Sequence, residues 1–109
     1  MNRTGKYISS LISGNPITIQ HKDMALHSVI SSKSLVTLHP TTCENLTVGD
    51  FIFCRVKGII GIRKIKAIQN QFFIVCNGNN RIGGRITRVN IFGECLLSTH
   101  EEDYDIYQQ

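Results

Sequence analysis

Between Phe51 and Cys76 the chain alternates apolar runs with short polar breaks, at intervals that suit strands. Phe51-Ile52-Phe53-Cys54-Arg55-Val56 is rich in aromatic and β-branched residues and is closed by Lys57-Gly58. Ile59 to Ile68 is a second such run, Gln69-Asn70-Gln71 a hairpin turn, and Phe72 to Cys76 a third run. Asn77-Gly78-Asn79-Asn80 can take positive φ and predicts a further turn. Gly83-Gly84 predicts a bend, and Ile86 to Val89 and Ile91 to Leu97 the last strand segments.

Upstream the pattern is weaker. Asn15-Pro16 is a turn signal, and Ile17-Thr18-Ile19 alternates as a short strand. His21-Lys22-Asp23 reads as a loop. Ala25 to Ile30 and Ser34 to Leu38 read as two more short strands, a short helix over Met24 to Ile30 being the alternative for the first. A polar loop, His39 to Asp50, follows. No helix of three turns shows a 3.6-residue stripe after residue 40. Many short strands at short spacing predict an all-β fold, a small coiled sheet or partly open barrel. The expected organisation is a polar lead-in over residues 1–15, one β-rich domain over 16–98, and an acidic tail over 99–109. With 109 residues the chain suits a single core.

Charge sharpens this picture. From Phe51 to Gly93 there is no acidic residue and there are eight basic ones: Arg55, Lys57, Arg63, Lys64, Lys66, Arg81, Arg85 and Arg88. The remaining residues carry four bases and eight acids, so a formal net charge of +4 hides a strongly separated distribution. Such a distribution produces a directional field that attracts polyanions or an acidic protein surface. A solvated basic face without a specific partner is the plainer reading. The acidic tail, Glu101-Glu102-Asp103-Tyr104-Asp105, is expected to be mobile and solvated, or to fold back on the basic face as a mimic of its ligand.

Other classes find little support. No apolar run reaches membrane-spanning length, and Ile8 to Ile12 is too short and too serine-rich for a signal-peptide core, so a cytoplasmic location without membrane contact is expected. Four cysteines stand at 43, 54, 76 and 95 without a Cys-x-x-Cys pair, which predicts reduced, largely buried thiols. Cys43 and His39 lie four apart in a loop, a spacing that fixes neither a zinc site nor a Cys–His nucleophile, and His39 reads as a local loop residue. The glycines fit no phosphate-cradling motif. No metal and no cofactor is expected.

Ser34-Leu35-Val36-Thr37-Leu38-His39-Pro40, then Leu46-Thr47-Val48-Gly49-Asp50 before a strand, then Ile62-Arg63-Lys64-Ile65-Lys66, resembles the serine–lysine peptidases of the LexA repressor and type I signal peptidase superfamily. Those proteins show Ser-Met-x-Pro, Gly-Asp leading into a strand, and an apolar–Lys–Arg–apolar strand whose lysine is the general base. The resemblance covers residues 34–97. It implies a coiled, barrel-like catalytic-domain fold in which Asp50 fixes the turn at the start of a strand.

The pair that would carry chemistry departs from that pattern. Alignment on x-Leu-x-Pro puts Thr37 in the serine position, counting back from Gly49-Asp50 puts Thr41 there, and Thr42 is adjacent. By strict alternation Arg63, Ile65 and Ala67 share one face, so Arg63 would occupy the lysine slot, where a guanidinium keeps its proton. A one-residue bulge would turn Lys64 inward instead. If the chain is a peptidase, Thr37 or Thr41 with Lys64 would serve it. Otherwise a catalytically degenerate domain remains, and its asset is the basic surface.

Three functions follow. The first is a basic binding module for nucleic acid, with Arg55, Lys57, Arg63, Lys64, Lys66, Arg81, Arg85 and Arg88 as contacts and strong salt dependence. Asn77, Asn79 and Asn80 could bond bases or backbone, and Phe72, Phe73 and Phe92 either stack on bases or fill the core. The second is a protein-interaction or inhibitor module docking on an acidic partner, in the style of a phage or mobile-element accessory protein. The third is a residual threonine- or serine-dependent peptidase. Exposed strand edges make a homodimer a further expectation.

Overall fold

A computed structural model of the chain describes residues 3–20, 35–76 and 81–98. Helix α1 spans Arg3–Ile12, and the strands are β1 Ile17–Gln20, β2 Leu35–His39, β3 Phe51–Val56, β4 Ile59–Gln69, β5 Phe72–Cys76, β6 Ile82–Ile86 and β7 Ile91–Ser98. Among the described residues these strands form one antiparallel sheet in the order β1-β2-β7-β3-β4-β5-β6, and it is not closed. The all-β expectation holds. The segments read as strands at Ala25 to Ile30 and as turns at Asn77 to Asn80, together with the acidic tail, lie outside the described residues.

Strand β3 is the centre of the fold. Ile52, Phe53 and Cys54 are buried in succession, which requires cover on both faces. On one face Ile52, Cys54 and Val56 pack with Ile65, Phe73, Val75, Ile86 and Ile91. The sheet curls around this core, for β6 comes back against β3 so closely that a Cβ on Gly84 would lie 2.6 Å from Val56 Cγ1. This is the concave face. On the opposite face Phe53, Ile62 and Cys95 join Leu38, Val36, Ile19 and Leu11 in a second core. Burying a side chain of the size of Phe53 or Leu38 contributes about 1.5–3 kcal/mol.

Helix α1 closes the second core. It lies within the segment expected to be a polar lead-in. Tyr7, Ile8 and Leu11 recur at helical spacing and pack against the sheet, with Leu11 buried. Leu11 sits over Gly93 of β7, the one kind of residue that leaves room, since a Cβ there would meet the His39 carbonyl oxygen at 2.8 Å. The helix ends where the Asn15 N–H reaches the Ser10 carbonyl and Pro16 forbids continuation.

The turns obey local chemistry. Lys57 and Gly58 both have positive φ, the two-residue hairpin conformation that matches strand twist. At the head of the β4–β5 hairpin Asn70 has positive φ and Gln71 does not. Gly83-Gly84 is not a bend between strands but the middle of β6, where the register slips between Val75 and Cys76 of its partner. Arg88 and Val89, read as strand, belong with Asn90 to a 3-10 turn.

Candidate functional site

Arg63 stands opposite Ile52 in the β3–β4 ladder, on the concave face. Its Nε is shielded from water, and its charge reaches Cys54. Lys64 stands opposite Phe51 and faces the other way. Strand β4 does carry a bulge, but it falls at Lys66, between the pairs Ile65–Val75 and Ala67–Ile74. It therefore comes too late to turn Lys64 inward. It does break the alternation beyond it. Ile68, opposite the core residue Phe73, returns to the face of Ile65, and Ala67 does not.

The hydroxyls are placed elsewhere. Thr37 of β2 shares a 3.0 Å hydrogen bond with Thr18 of β1. It lies on the face opposite Lys64 and three strand positions from β4, roughly 14 Å of sheet. Thr41 accepts the Cys43 N–H at 3.0 Å and lines a groove whose walls include neither Arg63 nor Lys64. Thr37, Thr41 and Lys64 are thus not brought together. His39 faces Glu94 of β7, in the cross-sheet row that continues through Ile52 to Arg63. Asp50 does the architectural work expected of it. Its Oδ2 accepts the Thr47 N–H at 2.9 Å, and its carbonyl accepts the Ile65 N–H at 2.8 Å. Gly49, at φ +101°, donates its N–H to the Ile65 carbonyl from a conformation that suits glycine.

The eight basic residues do not share one face. Lys57 is at the β3–β4 hairpin tip, Arg81 precedes β6, Arg88 begins the 3-10 turn, and Arg63 faces the concave core. The other four gather on the convex side. Arg55 and Lys64 carry the same alternation as Phe51 and Phe53, and Arg85 stands opposite Ile74, which pairs with Ala67. Lys66 is exposed at the bulge. In sheet order this band runs from Arg55 on β3 across β4 to Arg85 on β6, and because the neighbouring residues Val56 and Gly84 touch, the curl brings its two ends toward each other.

Two aromatic rings sit within the band. The Arg85 guanidinium lies 4.5 Å from the centre of the Phe72 ring, and that of Arg55 lies 5.3 Å from the Phe92 ring. Phe92 also meets Phe53 edge-to-face at 6.0 Å. Both Phe72 and Phe92 are half-buried, whereas Phe73 is a core residue. The sequence offers Phe72 and Phe92 only as strand residues that could go either way. What sets them apart is cross-strand register, and in the case of Phe92 a bulge, since Gly93 pairs with Phe53 and Ile91 with Cys54.

Burial pushes the Cys54 thiol up to about 12 despite the opposing pull of Arg63, and burial aided by Glu94 does the same to Cys95. Burial also raises Cys43, against the pull of Arg88. All four cysteines are free. Among the described residues no group of His, Cys, Asp and Glu is arranged to hold a metal ion, and no helix is long and apolar enough to cross a membrane. The chain matches no protein-family model, no curated protein and no solved structure, so the resemblance to serine–lysine peptidases rests on the quoted residues alone.

Proposed function

We propose that this chain is a non-catalytic, basic β domain that binds nucleic acid. One observation carries the reading: on the convex side of β3–β6 an arginine lies over each of two half-buried rings, with two lysines between them. Cations that track phosphates, interleaved with rings on which bases stack, are what sequence-tolerant binding of a strand requires. The separation of Thr37 and Thr41 from Lys64 supports a role without hydrolysis, because a hydroxyl nucleophile needs its base within hydrogen-bond reach.

Fluorescence anisotropy of a labelled oligonucleotide across a salt series tests this. The expected result is tight binding at low salt that weakens steeply as salt rises, and that Lys64→Ala with Lys66→Ala diminishes. Absence of binding at low salt would remove the proposal and leave an acidic protein as the partner to seek.

A further inference from the structure

The end of α1, the loop after β2 and the turn before β7 border an open groove of about 480 Å³, within the range of small-ligand sites. Leu11, Ile12, Val89 and Phe92 supply apolar wall, and Thr41 and Thr42 supply hydroxyls. Ile12 and Val89 are 77% and 78% exposed, more than any other large hydrophobic residue among those described. Ile12 and Val89 therefore stand largely in solvent at the edge of one groove, open to an apolar ligand. No charged residue lines it. Its rim is cationic: Arg55 lies over the Phe92 ring, and Arg88 is exposed beside Val89.

We infer that this groove seats one unstacked base of a single nucleic-acid strand, an inference that rests on the nucleic-acid reading above. A base is a flat apolar plate with polar edges, tethered to a phosphate. The plate matches the walls, its edge matches the threonine hydroxyls, and the phosphate matches Arg55 and Arg88. Thr41 accepts the Cys43 N–H and keeps its own O–H to donate. An aliphatic side chain of a protein partner would use the walls and leave both cations idle. The groove also makes the domain selective. A base stacked and paired in a duplex cannot enter, so the convex band attracts either form and the groove retains the single strand.

The test is the double variant Ile12→Ser with Val89→Ser, both on exposed side chains, measured against a single strand, the same strand with abasic sites, and a duplex. The wild-type chain is expected to bind the intact strand about tenfold more tightly than the abasic strand, and the variant to bind both alike with its duplex affinity unchanged. Undiminished binding of the intact strand by the variant overturns the base seat while leaving the basic band in place. An equal loss for strand and duplex also overturns it, for Ile12 and Val89 would then serve the general phosphate surface. If the wild-type chain binds no nucleic acid, the underlying reading fails and the seat fails with it.

Discussion

Arg63 stands directly across from Ile52, and both point to the face that holds Cys54 and Ile65. If the resemblance to serine–lysine peptidases is followed, Arg63 falls where the general-base lysine would be expected, and a guanidinium keeps its proton. The surroundings differ as well. Thr37 shares the face of Arg63 but lies three strand positions away. Placing a lysine there by Arg63→Lys is therefore expected to produce no cleavage of casein or of the chain itself, as judged by mass spectrometry. Fragments from the variant that are missing from a Thr37→Ala control would show that the two sites meet.

Substitution of Gly84 tests the curl of the sheet. Gly84→Ala drives a methyl against Val56, whose branched side chain has little freedom to yield, and is expected to cost about 1–3 kcal/mol in urea unfolding. Val56→Ala makes room, so the double variant should lose less than the two single losses added together. Simple additivity would mean that β6 and β3 do not press on each other there.

The turn before β3 makes a smaller claim. Asp50→Ala removes the acceptor of the Thr47 N–H and is expected to cost about 1 kcal/mol, with Asp50→Asn milder because its amide oxygen still accepts. An unchanged denaturation midpoint for Asp50→Ala would assign the turn to its backbone bonds alone.

Alkaline pH has a signed effect. Cys54 and Cys95 ionise near 9.0 when solvated and near about 12 when folded. Between those values the unfolded chain sheds protons that the native chain keeps, so stability is full below pH 9 and falls as pH rises toward 12. Unfolding free energies measured across that window should decline, and Cys54→Ala and Cys95→Ala should each flatten the decline. Thiol labelling of the native protein should find Cys43, the half-exposed thiol, ahead of Cys54, Cys76 and Cys95.

Rings and charges on the convex side should separate in a salt series. For a single strand each lost phosphate contact lowers the magnitude of the log–log salt slope by about 0.7, so Lys64→Ala with Lys66→Ala should reduce it by about 1.4. Phe72→Leu should weaken binding at every salt concentration and leave the slope alone. A slope altered by Phe72→Leu would mean that the ring acts through Arg85, which it holds in place.

The central hairpins are legible in the sequence because two local signals agree: β-branched and aromatic runs, and turn residues able to take positive φ at Lys57-Gly58 and Asn70. Helix α1 is obscured by Thr4, Gly5, Ser9 and Ser10, poor helix formers, and its stability comes from seating Tyr7, Ile8 and Leu11 on a sheet built from distant residues. The three-and-four spacing of those side chains was the available clue. Strict alternation fails at Lys66 because a bulge is a property of pairing with β5, not of β4 alone. Gly83-Gly84 has the composition of a bend, yet the glycine serves close contact between strands. The arginine–ring stacks and the groove join residues far apart in the chain, so composition announces the charge and conceals its arrangement.

The last turn of α1 belongs to two structures at once: Leu11 plugs the second core, and its neighbour Ile12 is a wall of the groove. Whatever occupies that groove grips the chain's first helix, so occupancy should raise the melting temperature and slow amide exchange along residues 5–12. Thermal shift then becomes a screen for ligands that needs no labelled probe, with the N-terminal amides reporting where they bind.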